Sequence, residues 1–126
     1  MSNNEFSIAQ RIKSFKYAIA GLSYVAKTQH NAWIHLVATV FVISMGLLLN
    51  IAVNEWLLII FCITLVLCCE AFNTALELLC DAVHPDDHPL IKKSKDVAAG
   101  AVLISAINAV IIGGFIFLSY FFTTTT

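Results

Sequence analysis

The chain has 126 residues, of which 60% are hydrophobic and 12% charged, and its mean hydropathy is +0.87. Soluble globular proteins are about 45–50% apolar and about 25% charged, so this composition excludes an ordinary soluble domain and indicates an integral membrane protein. The length supports a single domain over residues 1–126. The formal net charge of −1 says little by itself, and we predict no nucleic-acid partner.

An amphipathic surface helix is predicted in the N-terminal segment 6–30. Over residues 6–27 the apolar side chains recur at alternating four- and three-residue steps and form one stripe: Ile8, Ile12, Phe15, Ile19, Leu22 and Ala26. The lysines lie off this stripe, which suits a membrane surface with anionic headgroups. Packing on other helices is a compatible alternative. Because lysines and polar residues interrupt the pattern as far as Lys27, we expect no signal peptide.

Three apolar segments follow, at 32–51, 56–83 and 97–122. Each contains at least the ~20 residues that a helix needs to cross ~30 Å of hydrocarbon. The predicted fold is therefore an all-α integral membrane protein, with an N-terminal amphipathic surface helix and three transmembrane helices. The second segment is long for one span, so we expect its C-terminal part, around Glu77 and Asp81, to reach the cytoplasmic headgroups.

The positions of the basic residues determine the predicted topology. All seven lie in two groups, one before the first span and one between the second and third: Arg11, Lys13, Lys16 and Lys27, then Lys92, Lys93 and Lys95. The positive-inside rule puts both groups in the cytoplasm. We therefore predict a multi-pass protein of the cytoplasmic (inner) membrane, with its N-terminus inside and its C-terminus outside.

The segment between the second and third spans contains both prolines of the chain, Pro85 and Pro89. Proline interrupts a helix that reaches it from the N-terminal side, so we predict a loop over 84–96. Ser94 is a candidate N-cap for the third helix, and Lys95 or Asp96 could equally begin it.

Four polar residues lie within the second span: Glu70, Asn73, Glu77 and Asp81. At 100° per residue, all four face one side of a helix. A carboxylate at membrane depth costs a few kcal/mol or more, and such a group is a functional candidate by default. Carboxylates that keep their waters suit Mg²⁺ beside a phosphate, and a deeper carboxylate suits a general base. With Lys95 nearby, this stripe points to phosphoryl transfer at a membrane surface.

Simpler roles are open for several polar residues. Asp81 suits a helix end at the water boundary, and Lys95 and Asp96 could cap the third helix and pair among the headgroups. Three others within the spans are expected to be structural: His35, Ser105 and Asn108. A small oligomeric channel or transporter with an acidic cation path is a rival function, although residues 57–69 offer such a path almost no polar groups.

Several segments resemble the small prokaryotic diacylglycerol kinases, a family that includes undecaprenol kinases. The run EAFNTALELLCD over 70–81 resembles the family signature, and KDVAAGAVL over 95–103 resembles its second motif. FKYAIAGL over 15–22 and NAWIH over 31–35 resemble its N-terminal part. The resemblance extends from residue 11 to about 115.

This resemblance implies a homotrimer with active sites shared between subunits at the cytoplasmic membrane boundary. The implied reaction transfers the γ-phosphate of Mg-ATP to a lipid hydroxyl, converting diacylglycerol to phosphatidic acid, with undecaprenol as the alternative substrate. By position, Glu70 is implied to be the general base and Glu77 the Mg²⁺ ligand. Further positions are implied to contact the nucleotide or hold the site together: Tyr17, Asn73, Asp86, Asp87, His88, Lys95 and Asp96.

The sequence departs from the family at Gln29, just before the first span. Family members commonly have a glutamate there that assists the ligand at Glu77. An amide oxygen is a weaker Mg²⁺ ligand than a carboxylate, so Gln29 is the second predicted ligand, with His30 or a water as alternatives. A catalytically inactive family member that acts as a scaffold is a third possible function, and this departure would be its first sign.

Overall fold

The computed structural model describes residues 6–123, which form four α-helices joined by short connections. α1 covers Ile8–Thr28, α2 His30–Leu49, α3 Val53–Val83 and α4 Pro89–Thr123. α2, α3 and α4 are each long and apolar enough to cross a membrane. The described part of the chain contains no strand, so the predicted all-α fold is confirmed.

α1 and α2 are separated by one residue, Gln29, whose extended backbone (φ −104°, ψ 117°) redirects the chain. Ser7 precedes α1, and its Oγ accepts a hydrogen bond from Gln10 N. No residue of α1 is buried, so its apolar stripe is left uncovered within one subunit. α1 contacts both α2 and α3, which brings its C-terminal end close to the spans.

A tight turn joins α2 to α3, and we call this side of the molecule the turn end. Asn50 adopts the left-handed conformation (φ 50°, ψ 52°), which asparagine tolerates better than most residues. Ile51 N donates to the carbonyl of Gly46 at 3.3 Å. Trp56 packs directly on Gly46, where an added Cβ would lie 2.7 Å from Cη2 of the indole. The absence of a side chain at Gly46 thus lets the two helices approach closely.

α3 and α4 are antiparallel and form the most extensive helix pair. Buried side chains recur at helical spacing on α3: Ile59, Cys62, Val66, Glu70, Asn73, Thr74 and Cys80. They do the same on α4: Ala98, Val102, Ser105, Ile116 and Phe117. The outward faces carry exposed large apolar side chains, such as Phe115 at 78%. An apolar exterior of this extent is typical of a surface that contacts lipid or another subunit.

The third long helix begins earlier than the sequence predicted. α4 starts at Pro89, not at Ser94 or the two residues after it. Proline suits the first helical position, because the N–H that it lacks would have no intrahelical acceptor there. His88 accepts the first hydrogen bonds of the helix, from Lys92 N to its carbonyl at 3.0 Å and from Leu90 N to its Nδ1 at 3.1 Å. The connection, which we call the loop end, is therefore residues 84–88 alone.

Candidate active site

The predicted polar stripe lies on one side of α3, and its most enclosed member is Glu70. This residue is 1% exposed, and neither of its carboxylate oxygens has a hydrogen-bond partner among the described residues. Three contacts set the register of α3 against α4: Glu55 with Tyr120, Cys62 with Asn108, and Asp81 with Lys95. By interpolation along both helices, Glu70 lies at the level of the buried Val102.

α2 places a histidine against this carboxylate. Nε2 of His35 lies 3.6 Å from Oε2 of Glu70, which is an ion-pair distance and longer than a hydrogen bond. The imidazole is itself half-buried. The sequence predicted a structural role for His35. Its contact with Glu70 was not predicted, because no spacing rule relates a residue of one helix to the face of another. Its signal was an ionisable side chain within a predicted span.

Asn73 and Glu77 continue the stripe towards the loop end. Asn73 Nδ2 donates to Glu77 Oε1 at 3.4 Å, while Asn73 Oδ1 has no hydrogen-bond partner among the described residues. Glu77 is half-buried and lies about 10 Å from Glu70 along the helix axis, at 1.5 Å per residue. One carboxylate is therefore enclosed and the other is partly accessible.

Gln29 lies near the level of Glu77. α2 and α3 are antiparallel and meet at His35 and Glu70. Gln29 is six residues before His35, and Glu77 is seven residues after Glu70. Because each residue rises by about 1.5 Å along a helix, Gln29 and Glu77 lie at a similar level of the bundle. Gln29 Nε2 donates to Thr28 Oγ1 at 3.4 Å, and this bond does not use the amide oxygen.

These donors fit Mg²⁺ that arrives with a substrate. No group of three or more His, Cys, Asp or Glu side chains in the described part of the chain is placed to hold a metal ion. The carboxylate of Glu77 and the amide oxygen of Gln29 are the predicted donors at this level. Mg²⁺ commonly takes one or two carboxylates and completes its octahedron with waters and substrate phosphates. The donor set therefore suits a metal–nucleotide complex better than a metal held by protein alone.

Two lysine–aspartate pairs lie towards the loop end. Lys95 Nζ donates to Asp81 Oδ1 at 2.6 Å and so joins α4 to α3, while Lys92 Nζ donates to Asp96 Oδ2 at 2.7 Å within α4. Asp81, interpreted from sequence as a helix-end residue, is thus connected to the predicted nucleotide position Lys95. All four side chains are more than a third exposed, so their charges remain accessible to a ligand.

The loop end forms a concavity of about 660 Å³, within the usual range of about 300–1,000 Å³ for ligand sites. Four of the predicted nucleotide positions line it: Asp86, Asp87, His88 and Lys95. Lys92, the partner of Asp96, lines it too. Tyr17 is not brought to this concavity; it lies on α1 and is 73% exposed.

A second cavity, of about 270 Å³, lies between α2, α3 and α4. On α2 its lining runs from His35 to Val42, which is two turns or about 10 Å into the span. Apart from His35 and Thr39, most of the lining is apolar, with Ile59 and Val66 as examples from α3. The residue that contacts Glu70 therefore also stands at one end of an apolar cavity. Sequence patterns did not predict this cavity, because it depends on how three helices diverge.

Comparison with known proteins identifies the family. Residues 16–117 match the family model described as prokaryotic diacylglycerol kinase. A diacylglycerol kinase of Synechocystis is 41% identical over 120 residues, covering 94% of this chain and 69% of that protein. An undecaprenol kinase of Bacillus subtilis is 39% identical over 106 residues, covering 84% and 86%. A diacylglycerol kinase of Escherichia coli is 29% identical over 128 residues, covering 96% and 99%.

The family match covers most of the chain and includes the polar stripe, the loop end and the start of α4. A kinase family of this kind implies ATP as the phosphate donor and a lipid as the acceptor. The match also decides against a channel or transporter as the general class of protein. The chain is a kinase and belongs to the prokaryotic diacylglycerol kinase family.

Proposed function

We propose that the protein transfers the γ-phosphate of ATP to the hydroxyl of diacylglycerol and so produces phosphatidic acid. The observation that carries this proposal is the buried carboxylate of Glu70, which lies beside His35 where the apolar cavity ends. An enclosed base at this place suits a lipid hydroxyl, and the charged concavity at the loop end suits a nucleotide. Similar proteins from Synechocystis and Escherichia coli are named diacylglycerol kinases.

Glu70 is the proposed general base. The lipid hydroxyl enters from the apolar cavity, and Glu70 takes its proton as the oxygen attacks the γ-phosphorus and ADP departs. Because the carboxylate is enclosed, water is kept from the same position, which favours transfer to lipid over hydrolysis of ATP. General-base catalysis of this kind contributes about 10²–10⁴ in rate.

Glu77 and Gln29 are the proposed protein ligands for the Mg²⁺ that accompanies ATP. When bound, the ion neutralises charge on the phosphates during transfer. Asn73 holds the Glu77 carboxylate in place through its hydrogen bond at 3.4 Å. With an amide in place of a second carboxylate, we expect the protein to need more Mg²⁺ than a variant with glutamate at position 29.

The concavity at the loop end is the proposed nucleotide site. Lys95 supplies a compact positive charge for phosphate, and the carboxylates of Asp86 and Asp87 are acceptors for ribose hydroxyls. His88 adds a ring to the lining, and Asp96 acts by holding Lys92 at its edge. Tyr17 lies on α1 and would contact the nucleotide from the membrane surface.

The proposed orientation puts the loop end and the N-terminus in the cytoplasm of a bacterial inner membrane and the C-terminus outside. It is supported by the positions of all seven basic residues, which lie in α1 or in the first two turns of α4, because the positive-inside rule puts such groups in the cytoplasm. α1, whose apolar stripe is uncovered, would lie in the headgroup region. We also propose a homotrimer with active sites shared between subunits, for which the exposed apolar faces of the spans offer surface.

Undecaprenol is the second candidate acceptor. The similar undecaprenol kinase of Bacillus subtilis covers 84% of this chain at 39% identity. An apolar cavity accommodates a prenyl chain and an acyl chain equally well, because it offers few polar groups that would distinguish them. The structure therefore does not favour either lipid, and an activity assay with both is needed to choose between them.

Purified protein in mixed micelles with Mg-ATP tests this proposal, with diacylglycerol and undecaprenol supplied in parallel. We expect phosphorylation of diacylglycerol with the higher kcat/KM. Faster turnover of undecaprenol would make undecaprenol the preferred acceptor and diacylglycerol the alternative. Turnover of neither lipid would refute the lipid-kinase proposal.

A Glu70→Gln variant tests the proposed base. The amide keeps the size of the side chain but cannot accept the proton, so we expect kcat to fall by about 10²–10⁴-fold. Glu55→Gln is the matched control, since Glu55 is an acid on the same helix at the turn end, is outside the proposed site, and as glutamine keeps an oxygen to accept from Tyr120. Near-normal turnover in Glu70→Gln would show that another group takes the proton.

A further inference from the structure

The buried carboxylate of Glu70 lies close to one ionisable side chain from another helix, the imidazole of His35. Both oxygens of Glu70 lack a hydrogen-bond partner among the described residues, and an ionised carboxylate buried in this way requires compensation. Nε2 of His35 is 3.6 Å from Oε2. Hydrogen bonds in catalytic sites are often long without ligand and shorten in the substrate complex, so a small movement of either ring or carboxylate completes this contact.

The imidazole occupies two environments at once. One nitrogen faces the carboxylate of Glu70, and the same side chain lines the apolar cavity between the spans. Glu77, two turns further along α3, carries the other charge on this face. It is bonded to Asn73 and so has a partner of its own. The arrangement separates the two acids: one is held by an amide on its own helix and the other faces a histidine of α2.

We propose that His35 is the positioning residue of the phosphotransfer, holding the Glu70 carboxylate so that one oxygen faces the lipid hydroxyl. The Nε2–H of His35 donates to Oε2 of Glu70, which leaves Oε1 to accept the hydroxyl proton. The proton that leaves the lipid oxygen resides on Glu70 after transfer and passes to solvent when the products depart. This inference rests on the proposed lipid-kinase function and assigns a role in it to a histidine outside the polar stripe.

Paired substitutions at position 35 test the proposal in the full-length protein. His35→Met fills the same space without a hydrogen-bond donor, whereas His35→Gln retains an N–H at a similar reach. We expect His35→Met to lower kcat by about 10- to 100-fold, the worth of one hydrogen bond to a charged group, with the KM for ATP unchanged. His35→Gln should recover most of the loss. Ser44→Ala, an exposed site on the same helix whose hydroxyl donates to the carbonyl of Val40, should leave kcat unchanged.

A double substitution and a spectroscopic measurement separate positioning from packing. In the Glu70→Gln background, His35→Met should have little further effect on kcat, because the side chain that His35 positions can no longer act as the base. The ¹⁵N chemical shifts of the His35 ring should move in Glu70→Gln and stay in place in Glu55→Gln. This measurement needs no turnover, so it tests the contact even if the protein phosphorylated neither lipid.

Several results would overturn the proposal: a wild-type kcat in His35→Met, equal losses of kcat in His35→Met and His35→Gln, or ¹⁵N chemical shifts of the His35 ring that do not change in Glu70→Gln. If His35→Met lowers the midpoint of unfolding, the comparison of His35→Gln with wild type and the ring shifts decide the matter.

Discussion

At the scale of single residues, the two carboxylates of α3 have different environments and hence different chemistry. Glu70 is enclosed and lacks a hydrogen-bond partner among the described residues, whereas Glu77 is half-buried and accepts from Asn73. An enclosed carboxylate is suited to exchanging a proton, and an accessible one is suited to a hydrated metal ion. The helix places these two different environments two turns apart.

The proposed Mg²⁺ site leads to a testable prediction at Gln29. A Gln29→Glu variant would place a second carboxylate near the level of Glu77, and carboxylate count is a main determinant of Mg²⁺ affinity. We expect the Mg²⁺ concentration for half-maximal turnover to fall by about tenfold. The measurement is a magnesium titration of lipid phosphorylation at saturating ATP.

Gln29→Ala is the counterpart, and it should shift the same titration to higher Mg²⁺ because the amide oxygen is lost. If both variants titrate like the wild type, position 29 is not a ligand. In that event, the neighbouring His30 or water would be the next candidate for the vacant coordination position.

At the scale of helices, the turn end fixes how the spans pair. Tyr120 of α4 donates its hydroxyl to Glu55 Oε2 at 2.6 Å, and Ala52 N donates to the same carboxylate oxygen at 3.1 Å. On the other side, Trp56 of α3 packs over Gly46 of α2. Both contacts lie far from Glu70, so they affect the site only through the register of the helices.

Gly46→Ala should destabilise the α2–α3 pair. The added methyl would lie 2.7 Å from the indole of Trp56 and 3.1 Å from Ile51 Cδ1, and overpacking of this kind costs about 1–3 kcal/mol. Gly114→Ala is the control, because nothing lies within 4 Å of a Cβ there. Detergent unfolding followed by tryptophan fluorescence measures both, and equal midpoints for the two variants would contradict the close packing.

Tyr120→Phe should weaken the α3–α4 pair at the turn end. The substitution deletes the hydroxyl that donates to Glu55, and a hydrogen bond to a charged group is worth about 1.5–3 kcal/mol. We expect a lower unfolding midpoint with little change in the KM for ATP. Tyr24→Phe, on the exposed surface of α1, should stay within about 0.5 kcal/mol of the wild type. A destabilisation as large as that of Tyr120→Phe would show that the assay reports loss of any hydroxyl.

At the scale of the whole molecule, polarity changes along the length of the three long helices. The charged pairs and the concavity lie at the loop end, the enclosed carboxylate lies deeper, and the apolar cavity extends from it into the spans. This order matches the order of the substrates, since a nucleotide comes from water and a lipid from the bilayer. The chain thus has a charged surface that suits a nucleotide and an apolar cavity that suits a lipid.

The proposed orientation predicts where the C-terminus lies. Alkaline phosphatase fused after residue 126 should be active in bacterial cells, because that enzyme folds only in the oxidising periplasm. Fusion after residue 88, within the connection between α3 and α4, should be inactive. The opposite pair of results would reverse the proposed topology and put the proposed nucleotide site on the side of the membrane that lacks ATP.

The sequence by itself determined the elements of this protein. Twenty or more apolar residues in a row predict a spanning helix because the bilayer offers the backbone no hydrogen-bond partners. The repeat of one helix likewise places Glu70, Asn73 and Glu77 on a common face. The sequence alone misplaced the start of α4, because a proline can either end one helix or begin another. In the structure, Pro89 begins α4.

Only the tertiary structure decided which residues of different helices meet. His35 comes against Glu70, Lys95 pairs with Asp81, and the spans diverge to leave an apolar cavity. These contacts depend on the rotation and register of whole helices, which are set by packing at places such as Gly46 and which no local pattern contains. The sequence therefore specified a polar stripe, and the packing of α2 and α4 around it specified a site.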